Sequence, residues 1–162
     1  MKQIYFASPL FSNAELRYNT YIVEMIRKAY PDLKVFLPQE QMGINDKSNY
    51  ADSKMIAKLD TDAVLESSLL IAVLDGLVID PGVASEIGVA YANNIPVLGL
   101  LTDPRQQGYD NQQKIDAIAE IAESQFSYLN LYTVGLIKLN GEIVNNESNL
   151  VENIEKYIKT DK

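Results

Sequence analysis

The chain has 162 residues, of which 47% are hydrophobic and 22% are charged, and its formal net charge is −8. This length and balance are typical of a soluble domain with one hydrophobic core, so we expect a single domain over residues 1–162. Acidic residues outnumber basic ones by 22 to 14, and the resulting field repels a phosphate backbone. The composition therefore disfavours a nucleic-acid partner.

Histidine and cysteine are both absent from the sequence. Their absence excludes His-assisted serine or cysteine catalysis, a disulfide framework and the usual zinc sites. Nucleophilic and acid–base chemistry would therefore fall to Asp, Glu, Tyr, Lys or a chain terminus. No apolar stretch approaches the roughly 20 residues that cross a bilayer, and the apolar run at the N-terminus is too short for a signal-peptide core. We expect a cytoplasmic protein with no membrane partner.

Short apolar runs alternate with longer stretches of helical period along the chain. Ser12 is a typical helix N-cap, and Glu15 follows it in the first turn of the predicted helix. The nearly continuous apolar run 69–74 is typical of a central parallel strand that is covered on both faces. The full pattern predicts strands at 3–7, 34–37, 69–74, 97–101 and 136–139, helices at 13–30, 50–67, 81–93, 111–124 and 148–159, and a loop at 43–49.

Two local patterns add detail to these elements. Asn140-Gly141 is a strong hairpin signal, so we expect residues 142–144 to pair back on the strand at 136–139. The apolar residues of the second helix are expected to face the core, and these are Met55, Ile56, Leu59, Ala63, Val64 and Leu65.

Alternation of strands and helices predicts an α/β fold. We expect a flavodoxin-like three-layer sandwich with a mostly parallel five-stranded sheet. Ligands of such sheets lie beyond the carboxyl ends of the strands. The loops after Ala7, Leu37, Leu74 and Leu101 are therefore expected to form the functional site.

The segment that follows the third predicted strand carries the most informative pattern. Asp80 and Pro81 suit the N-cap and first position of a helix, which places Glu86 in its second turn, near the positive end of the helix. Gly82 and Gly88 leave space for a ligand to approach the helix. From spacing alone, Asp80 is equally well explained as a helix cap, and Glu86 as a solvated helix residue.

The same segment resembles a known signature. Asp80, Gly82, Glu86 and Gly88 match the pattern Asp-x-Gly-x-x-x-Glu-x-Gly, which follows a hydrophobic strand in the nucleoside 2-deoxyribosyltransferase family. The resemblance implies that a 2-deoxyribosyl group is exchanged between bases of 2′-deoxynucleosides by a ping-pong mechanism with net retention. It also implies that Glu86 is the nucleophile of a covalent glycosyl intermediate and that Asp80 assists departure of the base.

Shorter matches elsewhere in the chain extend the resemblance over most of its length. Residues 4–7 resemble the first strand of the family, with Tyr5 as its active-site tyrosine. Residues 56–64 resemble the helix that carries a second carboxylate, which Asp60 matches best, on the sugar or base side of the pocket. Gln41 matches a glutamine that contacts the base.

A final match concerns quaternary structure. Residues 130–132 resemble an element that reaches into the site of a neighbouring subunit, so the resemblance implies a homo-oligomer, with a hexamer as the best guess. Asn130 and Tyr132 would then complete the neighbour's site, and Gly82 and Phe11 would line the substrate pocket. The implied substrates are deoxynucleosides and free nucleobases. No metal or organic cofactor is implied, and the sequence has no glycine-rich phosphate-binding loop.

Each of these residues also has a purely structural explanation, and two other functions stay open. Tyr5 could lie at the edge of the core, Asp60 could be a solvated acid, and Asn130 could cap a helix or turn. A hydrolase of 2′-deoxynucleoside 5′-monophosphates, from the same superfamily, would resemble this chain except in the loop 7–11, which is apolar and has no arginine. A non-catalytic flavodoxin-like binding domain would leave Glu86 as an ordinary surface residue.

Overall fold

The computed structural model describes residues 2–41 and 50–158. These residues form five parallel strands, which lie in one sheet in the order β2-β1-β3-β4-β5. The strands are β1 (Gln3–Ala7), β2 (Lys34–Phe36), β3 (Leu69–Val73), β4 (Val97–Leu100) and β5 (Gly141–Val144). The α-helices are α1 (Asn13–Ala29), α2 (Ser53–Leu65), α3 (Pro81–Ala92), α4 (Gln112–Asp116), α5 (Leu131–Leu139) and α6 (Glu147–Ile158), and short 3-10 turns occur at Pro38–Glu40, Pro104–Gln106 and Ala117–Ala119.

Two hydrophobic cores, one on each face of the sheet, give the fold its three layers. Tyr5 and Leu70 point to the face that packs against α2, α3 and α5, where Ile87 of α3 is fully buried. Phe6 and Ile71 point to the opposite face, which α1 and α6 cover. Because side chains alternate along a strand, β1 and β3 contribute to both cores and are buried throughout. The predicted flavodoxin-like α/β sandwich is confirmed, and its sheet is entirely parallel.

The helix starts that the sequence predicts follow from local hydrogen bonding. The backbone N–H of Glu15 donates to Ser12 Oγ at 3.2 Å, and Ser12 N–H donates to Glu15 Oε2 at 2.7 Å. This reciprocal pair is a capping box, which fixes the first turn of α1. At α3, the side chain of Asp80 accepts from the N–H groups of Gly82 and Val83, so the helix begins at Pro81 as predicted.

The predicted fifth strand is wrong, and so is the predicted hairpin. Residues 131–139 form helix α5, and residues 141–144 form β5, which runs parallel to β4. The segment 131–139 is almost entirely apolar, and a short apolar run does not by itself distinguish a buried helix from a strand. Gly141 is needed for a close approach of two strands, because a Cβ at this position would lie 1.8 Å from the carbonyl oxygen of Val97.

Two helices also differ from the sequence prediction. The predicted helix at 111–124 is reduced to α4 and the 3-10 turn at Ala117–Ala119. Helix α2 begins at Ser53, where Asp52 is the N-cap, and three of its predicted core residues are exposed, namely Met55, Ile56 and Leu65. The predicted loop at 43–49 lies outside the described residues. Within the described residues, no helix is long and apolar enough to cross a membrane.

Two glycines provide a paired test of the packing between β4 and β5. Gly141→Ala is expected to lower the free energy of unfolding by about 1–3 kcal/mol, because the added methyl group clashes with the backbone of Val97. Gly135 lies in α5, and an added Cβ there would have no neighbour within 4 Å. Gly135→Ala should therefore raise stability by about 0.5–1 kcal/mol through helix propensity. Denaturant unfolding measures both values, and equal effects of the two substitutions would contradict the observed strand pairing.

Candidate active site

A cavity of about 230 Å³ lies where the loops that follow β1 and β2 meet helices α2 and α3. This position agrees with the rule that ligands bind beyond the carboxyl ends of parallel strands. The loop after β4 was also expected here, but it does not line the cavity in the described part of the chain. The cavity does bring together six residues that the sequence predicted, which are Phe11, Gln41, Asp60, Asp80, Gly82 and Glu86.

Glu86 is held in this cavity by Tyr5. The Tyr5 hydroxyl donates to Glu86 Oε1 at 2.6 Å, and the two residues come from β1 and α3. The Tyr5 side chain is fully buried, and its ring stacks on Phe36 with 5.4 Å between ring centroids. Burial is the main cause that raises the pKa of Tyr5, and the nearby Glu86 carboxylate raises it further. Tyr5 therefore stays protonated and serves as a fixed hydrogen-bond donor to Glu86.

The Glu86 carboxyl titrates near neutral pH. Its pKa is raised from 4.5 to about 7, mainly because the side chain is largely buried. The hydrogen bond from Tyr5 lowers this pKa, whereas the negative charges of Asp60 and Asp80 raise it. Glu86 consequently exists in both forms near neutral pH, and its ionised form increases as the pH rises above 7.

Asp60 reaches the same site from α2. Burial raises the pKa of Asp60 above its usual value of 3.8, and the nearby Tyr5 hydroxyl opposes this increase. A second cavity, of about 200 Å³, lies between α2 and α3 and is also lined by Asp60, Gly82 and Glu86. Glu86 and Asp60 therefore border both cavities.

Asp80 has a structural role as well as a place in the cavity wall. Its Oδ1 accepts from Gly82 N–H at 2.9 Å and from Val83 N–H at 3.1 Å, which caps α3. Since both bonds end on Oδ1, only Oδ2 is able to bind a ligand without breaking the cap. A Cβ at Gly82 would lie 3.0 Å from Asp80 Oδ1, so glycine at this motif position preserves both the cap and the cavity.

Asn130 and Tyr132 lie away from the Glu86 cavity of their own chain. Asn130 is the N-cap of α5, and its side chain accepts from the N–H groups of Tyr132 and Thr133 at 3.0 and 3.2 Å. Both residues line a different cavity, of about 450 Å³, together with Val78. Tyr132 is 76% exposed. Their contribution to a neighbouring subunit's site stays a prediction.

Sequence reasoning did not identify several residues of the cavity wall. Ser8 lies directly after β1, so the rule that locates ligands at strand ends was the signal that could have found it. Ile56 was expected in the core, but it lies on the side of α2 that borders the cavity. The other unidentified wall residues are Leu10, Pro38, Leu59 and Val83.

A wider depression, of about 560 Å³, lies between α1 and the loops that follow β3 and β4. Its carboxylates already have partners. The side chain of Asp75 accepts from the N–H and hydroxyl of Thr102, both at 2.7 Å, and Asp103 is paired with Arg105. The cavity at Glu86 combines a titrating carboxylate with accessible space, and it is the better candidate for chemistry.

The buried charge of Glu86 predicts a pH-dependent change in stability when it is removed. The folded state raises the pKa of Glu86 from 4.5 to about 7, so this residue destabilises the fold progressively as the pH rises across that interval. Glu86→Gln should keep an acceptor for Tyr5 and stabilise the protein by about 3 kcal/mol near pH 8. The gain should disappear near pH 4, where the native carboxyl is neutral.

Denaturant unfolding at several pH values measures this gain, and Glu123→Gln is the matched control because Glu123 is exposed. The control is expected to change stability little at either end of the pH range. A Glu86→Gln gain that is independent of pH would contradict the origin assigned to it.

Comparison with known proteins identifies a family for this chain. A model of the nucleoside 2-deoxyribosyltransferase family matches residues 4–151. A conserved protein from Enterococcus faecalis V583 is similar to this chain at 65% identity and a TM-score of 0.91, with 96% of this chain and 98% of that chain covered. A search of curated proteins finds no match.

Two more distant solved structures share the fold. A 2-deoxyribosyltransferase from Bacillus psychrosaccharolyticus has 17% identity and a TM-score of 0.60, with 92% of this chain and 90% of that chain covered. A 2-deoxyribosyltransferase from Leishmania mexicana has 18% identity and a TM-score of 0.67, with 98% of this chain and 99% of that chain covered. Because the family model matches nearly the whole chain, the protein belongs to the nucleoside 2-deoxyribosyltransferase family.

Proposed function

We propose that the protein transfers the 2-deoxyribosyl group between the bases of 2′-deoxynucleosides. The observation that carries the proposal is the Tyr5–Glu86 hydrogen bond of 2.6 Å beside a cavity that Asp60 and Asp80 also line. Family membership supports the reaction class. The two halves of the reaction would share Glu86 as the group that carries the sugar.

In the first half-reaction, an ionised oxygen of Glu86 attacks the anomeric carbon of the deoxynucleoside. The glycosidic carbon–nitrogen bond breaks, its electron pair goes to the base, and the base gains a proton at a ring nitrogen. A carboxylate suits this step because it stabilises an oxocarbenium-like transition state and then traps the sugar. In the second half-reaction, a nitrogen of a new base attacks the same carbon and loses its proton, and Glu86 leaves. Two inversions give net retention.

The position of Glu86 supports its role as the nucleophile. A carboxylate that titrates near pH 7 is substantially ionised under neutral conditions, and partial desolvation increases its interaction with a developing positive charge. Tyr5 donates its only hydroxyl proton to Oε1, which fixes one oxygen and leaves Oε2 to react.

The departing base needs a proton or a hydrogen bond, and two carboxyls are candidates for this role. The family resemblance assigns it to Asp80. Asp60 is a second candidate, because its raised pKa favours the protonated acid and because Asp80 Oδ1 is occupied by the helix cap. Whichever residue supplies the proton, the other remains available to accept a hydrogen bond from the sugar or base.

A neighbouring subunit would complete the site in this proposal. Transfer, as opposed to hydrolysis, requires that water be kept from the glycosyl intermediate until the second base binds. The loop and helix start around Asn130 expose large apolar side chains, which a second subunit would cover. Those side chains are Tyr128, Leu131 and Tyr132. We therefore keep the homo-oligomer, with a hexamer as the best guess, as part of the proposal.

The cavity walls favour an unphosphorylated substrate over a nucleoside monophosphate. No lysine or arginine lines the Glu86 cavity among the residues that the structure describes. The carboxylates of Asp60, Asp80 and Glu86 would repel a phosphate group. These two features make the monophosphate hydrolase the less favoured alternative, and a non-catalytic binding domain would not explain the buried Glu86 carboxyl.

Incubation with thymidine and adenine, followed by chromatography, distinguishes these functions. The proposal expects deoxyadenosine and thymine as products. Thymine and free deoxyribose without a new nucleoside would indicate a hydrolase. No reaction of any deoxynucleoside or its 5′-monophosphate would remove the enzymatic proposal.

Glu86→Ala should reduce base exchange by at least about 10³-fold, because the nucleophile and the trapping group are lost together. Glu123→Ala is the control, since Glu123 is an exposed glutamate outside the cavity. It should retain the wild-type rate. Near-normal exchange by Glu86→Ala would rule out the proposed nucleophile.

A further inference from the structure

Ser8 has a buried hydroxyl that the fold itself does not use. Only 7% of the residue is exposed, and its Oγ has no hydrogen-bond partner within the described residues. Buried side-chain hydroxyls are normally hydrogen-bonded, and an unpaired one costs free energy of folding. Ser8 also lines the cavity that contains Glu86. An unpaired polar atom at a ligand cavity indicates a contact that is made only when the ligand is bound.

The main chain around Ser8 is held in place. Ser8 precedes Pro9, and a residue before proline is restricted to extended backbone conformations. The carbonyl oxygen of Pro9 accepts from Asn19 Nδ2 at 2.9 Å, and Asn19 is itself 1% exposed. The same Asn19 nitrogen donates to Gln39 Oε1 at 3.0 Å, which ties this loop to the 3-10 turn after β2. Ser8 is therefore presented to the cavity by a braced loop.

The chemistry of the cavity indicates which group would pair with Ser8. Asp60, Asp80 and Glu86 accept hydrogen bonds when they are ionised, whereas a serine hydroxyl both donates and accepts. A ligand hydroxyl that donates its proton to one of these carboxylates still has lone pairs to satisfy. Ser8 supplies a donor for those lone pairs. The combination of carboxylates and Ser8 thus matches a hydroxyl group.

We propose that Ser8 Oγ hydrogen-bonds a sugar hydroxyl of the deoxyribosyl group, so that Ser8 is a specificity-determining residue. This inference rests on the proposed function. In that reaction the base is exchanged, while the sugar occupies the site beside Glu86 through both half-reactions. A hydrogen bond from Ser8 to the base would be lost when the base departs, whereas a hydrogen bond to the sugar persists through both half-reactions. Deoxyribose offers two hydroxyls, at its 3′ and 5′ carbons, and the contact involves one of them.

The Ser8→Ala variant tests the proposal through two independent measurements, the kcat/KM for thymidine and the thermal midpoint of unfolding. The kcat/KM for thymidine should fall about tenfold, as expected for the loss of one hydrogen bond to substrate. The thermal midpoint of the ligand-free protein should not fall, because the deleted hydroxyl leaves no partner unpaired. An unchanged kcat/KM would refute the contact, and a large loss of thermal stability would show that Ser8 Oγ has a structural role instead.

Ser67→Ala is the matched control. Ser67 is also buried, but its Oγ donates to the carbonyl oxygen of Ala63 at 2.7 Å and accepts from Gln3 Nε2 at 3.1 Å. Its substitution should lower the thermal midpoint and leave the kcat/KM of the folded protein unchanged. The opposite responses of the two serines separate a substrate contact from a structural one.

Substrate analogues identify the contacted group. The effect of Ser8→Ala should disappear for either the 2′,3′-dideoxy or the 2′,5′-dideoxy nucleoside, whichever lacks the hydroxyl that Ser8 contacts. An effect that persists with both analogues and varies with the base would assign Ser8 to the base and overturn the proposal. Absence of turnover by the wild-type protein would refute the proposed function and this contact with it, whereas wild-type turnover with an unaffected Ser8→Ala variant refutes the contact alone.

Discussion

The hydrogen bond from the Tyr5 hydroxyl to Glu86 is the contact around which the site is arranged. Tyr5 belongs to a central strand and stacks on Phe36 of the neighbouring strand, while Glu86 lies in the second turn of α3. The bond therefore exists only if two strands and a helix are correctly assembled. The Asp80 cap fixes where that helix begins, which in turn sets the position of Glu86. Fold and site are specified by the same few side chains.

The arrangement has an energetic cost that the hydrophobic cores must offset. A carboxyl such as Glu86 loses hydration when it is buried, and a second one, Asp60, is partly buried beside it. Tyr5 recovers part of this cost for the ionised form of Glu86. A solvated carboxylate would destabilise the folded state less, but it would interact less strongly with a cationic transition state. One largely buried and one partly buried acid are therefore expected at a functional site.

The sequence predicted those parts of the molecule that depend on local patterns. The β1, β3 and β4 strands and the cap at Asp80 follow from apolar runs and helix-start signals, and the family signature located Glu86. The short, mostly apolar run 136–139 predicted a strand, although these residues form the end of helix α5. Gly141 suggested a turn, although it allows the close approach of β4 and β5. The sequence locates Ser8 only through its place directly after β1, because its burial and its unpaired hydroxyl depend on the folded structure. The spacing of residues along the sequence does not predict tertiary features of this kind.

The covalent intermediate is the central claim of the proposed mechanism. The most direct measurement is mass spectrometry of the protein after it is mixed with thymidine in the absence of an acceptor base and quenched rapidly. An added deoxyribosyl group is expected on the peptide that contains Glu86, and this group should be absent from the Glu86→Gln variant. Base exchange that proceeds at a normal rate without any such adduct, or an adduct on a different residue, would contradict it.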